Sequence, residues 1–210
     1  MPAFSKQLPL TVSPARRFCR RWLAPVLLLA LVAGFAPWRM SAAEAPVEAP
    51  EYNVKAGYLL LFAEHTSWPT NAAATSPTPI VIGVLGSDPF QGALERTARR
   101  QTGSRPFEVR SVANEVEAAQ CHVVFISKAE KANEARWLAA LRDKPILTVG
   151  ESGQTLALGG VVEFVELAKR EKRLRFEVSR TAITQAGLKL DSRMLSSARQ
   201  VYDKRPAIRD

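Results

Sequence analysis

The chain has 210 residues, with 29 Lys and Arg against 20 Asp and Glu and a formal net charge of +9. Six of the bases (Lys6, Arg16, Arg17, Arg20, Arg21 and Arg39) fall within residues 1–43, which hold no acid, so residues 44–210 carry 23 bases against 20 acids, a net +3. That near-neutral remainder lacks the basic footprint of a nucleic-acid-binding surface, and nucleic acid is not an expected partner.

Residues 1–43 read as a signal peptide. Four arginines precede an apolar run over 23–36 that is too short for a comfortable membrane span. Ser41-Ala42-Ala43 supplies small residues for cleavage before Glu44. The expectation is an exported chain with no span after processing. About 165 mature residues suit one domain with a single core. Residues 44–50, EAPVEAP, read as a disordered spacer. A domain over 51–203 and a flexible tail over 204–210 complete the division.

The domain opens with YNVKAGYLLLFAEHTSWP. Val54, Tyr58, Leu61 and Phe62 recur at helical spacing, and Leu59 with Leu60 widens the stripe, so a helix over 52–66 needs burial against the rest of the domain. Trp68-Pro69 stops it, because proline disfavours the α conformation in the preceding residue. A strand over 80–85 runs into Gly86-Ser87-Asp88-Pro89, and a helix over 90–100 comes after it with Leu94 and Ala98 inward. A strand over 107–110, a short helix over 114–119 and a strand over 123–126 come next. Ser127 is placed to cap a helix over 129–141. A strand over 146–149 ends this alternation.

After Gly150 the rhythm changes. Leu156, 161–165 and 174–178 are strand-like with only turns between them. A helix over 179–186 closes on Gly187, and Ser192 begins a last helix reaching Tyr202. Alternating strands and helices over 80–149 predict an α/β fold. The expected architecture is a single three-layer domain. Its mainly parallel central sheet is extended by a C-terminal antiparallel hairpin, with the N-terminal helix packed on the sheet.

Ligand groups in such sheets lie beyond the carboxyl ends of the strands. Here these are Ser87 and Asp88, Ser127 and Lys128, and Glu151. Asp88 also fits a capping role for a helix that Pro89 begins. Trp68 could pack or anchor a partner. Cys121 is the one cysteine beyond residue 43, so no internal disulfide is available. In CHVVFI it reads as a small packed hydrophobe, with a redox role or an intermolecular disulfide as the alternative. His122 beside it points to the opposite strand face, so the two do not chelate one metal. Residues 169–175, KREKRLR, read as a solvated hairpin tip or an electrostatic contact. No catalytic group, cofactor or metal site is expected: GVLGSDPF lacks a phosphate-binding fingerprint, and GESGQ misses the nucleophile-elbow spacing.

Together, YNVKAGYLLLFAEHTSWP, PIVIGVLGSDPF, CHVVFIS, PILTVG, GGVVEFV and LRFEVSRTAITQAGLKLDSRMLSSAR resemble the YfiR family across 52–202. The resemblance implies a periplasmic, non-enzymatic regulator. Such a protein represses an inner-membrane diguanylate cyclase by binding its periplasmic sensor domain, which lowers cyclic-di-GMP and biofilm formation. It also implies a homodimer. Family members with disulfides differ from this chain, where Cys121 has no partner. A periplasmic small-molecule-binding sensor, with its pocket near Asp88 and Glu151, is the alternative.

Overall fold

The structure is a computed structural model that describes residues 49–69, 79–102, 105–165 and 174–208. The expected signal peptide, most of the spacer, the loop over 71–78 and the KREKR tip lie outside the described residues. Ala49–Glu64 forms α1, so the helix starts inside the predicted spacer. Pro50 sits in the first turn, where its missing N–H costs no helical hydrogen bond. After α1 come β1 (Thr66–Ser67), β2 (Ile80–Leu85), α2 (Ala93–Arg100), β3 (Phe107–Val112), α3 (Glu115–Ala118) and β4 (Val123–Ile126). A 3-10 turn at Lys128–Glu130 leads to α4 (Glu134–Ala140) and β5 (Leu147–Gly150). Next are β6 (Val162–Val165), β7 (Arg175–Ser179), α5 (Arg180–Gln185), β8 (Lys189–Leu190), α6 (Ser192–Ser197) and β9 (Gln200–Tyr202).

Seven strands form one sheet in the order β3-β2-β4-β5-β6-β7-β9. Neighbours from β3 through β6 are parallel, while β6 and β7 are antiparallel with Val165 opposite Arg175. The expected hairpin is therefore present. The predicted last helix is not continuous: α6 ends at Ser197, and Gln200–Tyr202 joins the sheet parallel to β7. Arg199 N donates to Phe176 O at 2.9 Å, which draws this segment onto the sheet. Leu156 is buried in a turn and forms no strand.

Strand alternation divides the core between the two faces of the sheet. Ile80, Ile82, Val84, Val123 and Phe125 join α1 and α2 in one apolar cluster. Val81, Leu85, Val124 and Ile126 meet Trp137, Leu138, Leu141 and Cys121 in the other. The inner face of α1 is Lys55, Ala56, Leu59, Leu60, Phe62 and Ala63, while Val54 is 49% exposed. The buried stripe is rotated from the predicted one, since apolar residues surround most of this helix and periodicity alone does not select its buried side. β1 pairs antiparallel with β8, setting Thr66 opposite Leu190. His65 Nδ1 lies 3.4 Å from Asp191 Oδ2, and Asp191 N donates to His65 O. The opening helix and the GLKLD segment, far apart in sequence, are thus fastened together.

Candidate functional site

The carboxyl ends of β4, β5 and β6 converge where the amino-terminal half of α1 crosses them. At their centre is Glu151, the residue immediately after β5, buried to 6% exposure. Its Oε2 accepts from Lys55 Nζ at 2.6 Å. Its Oε1 accepts from the Lys128 backbone N–H at 2.9 Å and from the Tyr52 hydroxyl at 3.1 Å. Lys55, 3% exposed, also reaches Glu51 Oε1 at 2.5 Å and lies 4.5 Å from the Tyr52 ring centroid. The cost of desolvating this pair is offset only because both charges are multiply hydrogen-bonded.

Sequence reasoning named Lys128 and Glu151 but missed Tyr52 and Lys55. The available signal was the position of Lys55, four residues before Leu59 on the buried side of α1.

Ser127 is buried next to this centre with an extended backbone, as an N-cap requires, yet its side chain makes no capping bond. Its Oγ has no hydrogen-bond partner among the described residues. Glu151 supplies the cap instead, taking the Lys128 N–H from the neighbouring strand. The expected helix starts later, at Glu134.

Ser87 and Asp88 are exposed at the end of β2. Asp88 Oδ1 accepts from Phe90 N at 2.8 Å, forming a local turn. The helix begins at Ala93 with Gly92 as its cap, which corrects the reading of Pro89 as its first residue. Gly86, at φ 84°, turns the chain here, and a Cβ on it would sit 2.9 Å from Ser127 Oγ. The β2 and β4 ends are therefore adjacent.

A second polar layer lies beneath. Glu134, fully buried, accepts from Ser152 Oγ and from Thr155 Oγ1, the latter at 2.6 Å. Gly150 permits this approach, because a Cβ there would fall 2.8 Å from Glu134 Oε1 and closer still to Thr155 Oγ1. Glu163 Oε1 accepts from Thr155 N at 3.1 Å. Burial raises the Glu163 carboxyl above its ordinary range, against the lowering effect of backbone donors from Thr155, Leu156 and Gly153. Lys128, Glu151, Ser152, Gly153, Glu163, Phe164 and Val165 line an open cavity of about 190 Å³. Ser152 Oγ donates to the Glu134 carboxylate and accepts from Gln154 N at 3.1 Å. His122 Nδ1 accepts from Val81 N, and His65 faces Asp191.

The structure does not bring Trp68 to this site. Its ring meets His122 edge-on at 5.6 Å, near the amino ends of the strands. There it lines a cavity with Ile80, Arg105 and Phe107. Cys121 is buried against Gly83 and Val112, with its Sγ 3.5 Å from Glu117 O. Burial pushes its thiol up, and a thiol held protonated is a poor nucleophile. His122 lies on the other face, as the strand alternation predicts. Among the described residues no group of three or more His, Cys, Asp or Glu could hold a metal ion.

The family model described as YfiR/HmsC-like matches residues 52–199. The chain belongs to the YfiR/HmsC-like family. The match runs from Tyr52 at the buried centre through the β8–α6 segment that α1 is tied to, so it covers both cores and the site. No curated protein matches this family member. Among solved structures, one described as "the ABC domain in complex with L-Trp from Streptococcus pneumonia" matches at 12% identity with a TM-score of 0.47. That match covers 70% of this chain, which spans 61% of the other's length. This partial likeness carries no functional argument. Among the described residues of the YfiR/HmsC-like chain, no helix is long and apolar enough to cross a membrane.

Proposed function

We propose that this YfiR/HmsC-like chain is an exported regulator that restrains an inner-membrane diguanylate cyclase by binding its periplasmic sensor domain. Lower cyclic-di-GMP and weaker biofilm formation are the outputs. The observation that carries the reading is the family match over 52–199. At the strand ends, where an α/β sheet presents ligand groups, Glu151 and Lys55 bond each other and hold α1 in place. In this reading residues 1–43 are the cleaved signal, 44–48 a spacer, 49–203 the regulatory domain, which includes the start of α1, and 204–210 a tail. Exposed Ser87 and Asp88 border the partner-facing end.

Repression requires tighter binding to the inactive sensor conformation than to the active one, since equal affinity shifts no population. A coupling of about 3 kcal/mol moves the balance roughly 100-fold. Deleting the gene and measuring cellular cyclic-di-GMP tests the proposal. A rise during surface growth is expected, reversed by the restored gene; an unchanged level under every such condition ends the reading.

A small-molecule sensor is the second reading, favoured by the cavity of about 190 Å³ beside Glu151 and Glu163. It predicts a thermal shift with small amino acids, whose ammonium group a carboxylate would receive, that Glu163→Gln abolishes.

A further inference from the structure

β3 is an edge strand of the seven-stranded sheet. Among the described residues β3 hydrogen-bonds only β2, leaving its far side at the border. The register places Ile80 opposite Phe107, and Ile80 N donates to Pro106 O. In a parallel ladder this assigns the backbone groups of Glu108 and Arg110 to β2. Those of Phe107, Val109 and Ser111 then point outward, and none of them meets a further backbone partner among the described residues. The strand is six residues long with no proline or bulge to blunt it. Its two charges, Glu108 and Arg110, are of opposite sign and pair with each other, so they do not repel a second copy as a like-charged edge would. The opposite border, β9, is only three residues long.

We infer that two copies of this chain associate through antiparallel pairing of their β3 strands about a two-fold axis at Val109. An axis there suits the backbone, because Val109 is an outward residue. It exchanges two hydrogen bonds with its own copy, and Phe107 does the same with the other copy's Ser111. It also suits the side chains. Glu108 of one copy falls opposite Arg110 of the other, and Arg110 opposite Glu108, as closely spaced pairs without hydrogen bonds between their backbones.

Within one chain these two side chains already share one face, with Arg110 Nε 2.7 Å from Glu108 Oε1 and each more than 40% exposed. Dimerisation converts one pair per chain into an alternating group of four charges. The interface is isologous and closes, so it yields a dimer and no fibre. This assigns a surface to the homodimer that the family resemblance implies. It does not depend on the cyclase reading, which the cyclic-di-GMP measurement tests separately.

The test is sedimentation velocity of the signal-free chain across a concentration series, at low and moderate salt. The parent is expected to dimerise. Glu108→Arg sets arginines opposite arginines, and Arg110→Glu sets glutamates opposite glutamates. Each should raise the dimer Kd about ten-fold or more. An equimolar mixture of the two variants restores opposite charges at both pairs and should form a heterodimer near parental affinity. Val109→Pro removes an outward N–H that β2 does not use, so it should abolish the dimer while leaving the circular dichroism spectrum unchanged. A parent that stays monomeric, single variants that dimerise like the parent, or a mixture that fails to associate each overturns the inference. Dimerisation of a folded Val109→Pro variant at parental affinity places the interface elsewhere and overturns it too.

Discussion

Glu151 shows how one side chain can act as a structural hub. It accepts from Lys55, Tyr52 and the Lys128 amide, three groups drawn from two separated segments. Glu151→Ala leaves Lys55 buried with Glu51 alone and should cost about 3 kcal/mol in urea unfolding. Pairing Lys55→Met with Glu151→Gln removes both charges and keeps an acceptor for Tyr52 and Lys128. That double variant should therefore recover most of the loss.

Glu163 gives a pH signature of its own. Its carboxyl is raised in the folded chain, so between the ordinary carboxylate pKa and the raised value the folded state holds more protons than the unfolded state. Stability then falls as pH rises through that window. Glu163→Gln, which keeps an acceptor for Thr155 N, should raise Tm by roughly 2 °C at pH 7 and by less at pH 4, read by calorimetry.

At the scale of elements, close approach separates glycines that look alike in sequence. Gly150 ends β5 with no room for a Cβ beside Thr155 and Glu134, whereas Gly153 has open space but a φ of 87°. Gly150→Ala should cost about 3 kcal/mol through overpacking. Gly153→Ala should cost only about 1 kcal/mol through backbone strain. Chemical denaturation of the two variants in parallel checks the order. The same scale explains the late start of α4: Glu151 reaches across from β5 to take the Lys128 N–H, and the chain passes through a 3-10 turn before the helix proper begins.

For the whole molecule, α1 is as much a part of the core as the strands are. Leu59, Leu60, Phe62 and Ala63 sit in the larger apolar cluster, and the helix is tied at one end to Glu151 and at the other to β8 and Asp191. A chain beginning after Glu64 uncovers that face of the sheet. It should lose its cooperative unfolding transition and bind a hydrophobic dye, as partly packed states do.

Much of this architecture was legible in the amino-acid order. Apolar runs such as IVIGVL and VVFI, separated by helical patterns and turn residues, specify buried parallel strands because both faces of such a strand are covered. The alternation of Cys121 and His122 to opposite faces comes from strand geometry in the same way, as do Lys128 and Glu151 at the strand ends.

What only the tertiary structure decided are the features that depend on neighbours remote in sequence. The buried side of α1 was not legible, since a helix apolar nearly all round has no preferred face until a sheet selects one. The strand Gln200–Tyr202 looked helical because its place beside β7 rests on non-local pairing between backbone groups. Lys55 carried no signal of a burial partner in the sequence, because that partner, Glu151, lies 96 positions away. Local pattern specifies the strongly apolar strands and helices; long-range pairing decides the rest, including which polar groups can be buried, and hence where the site lies.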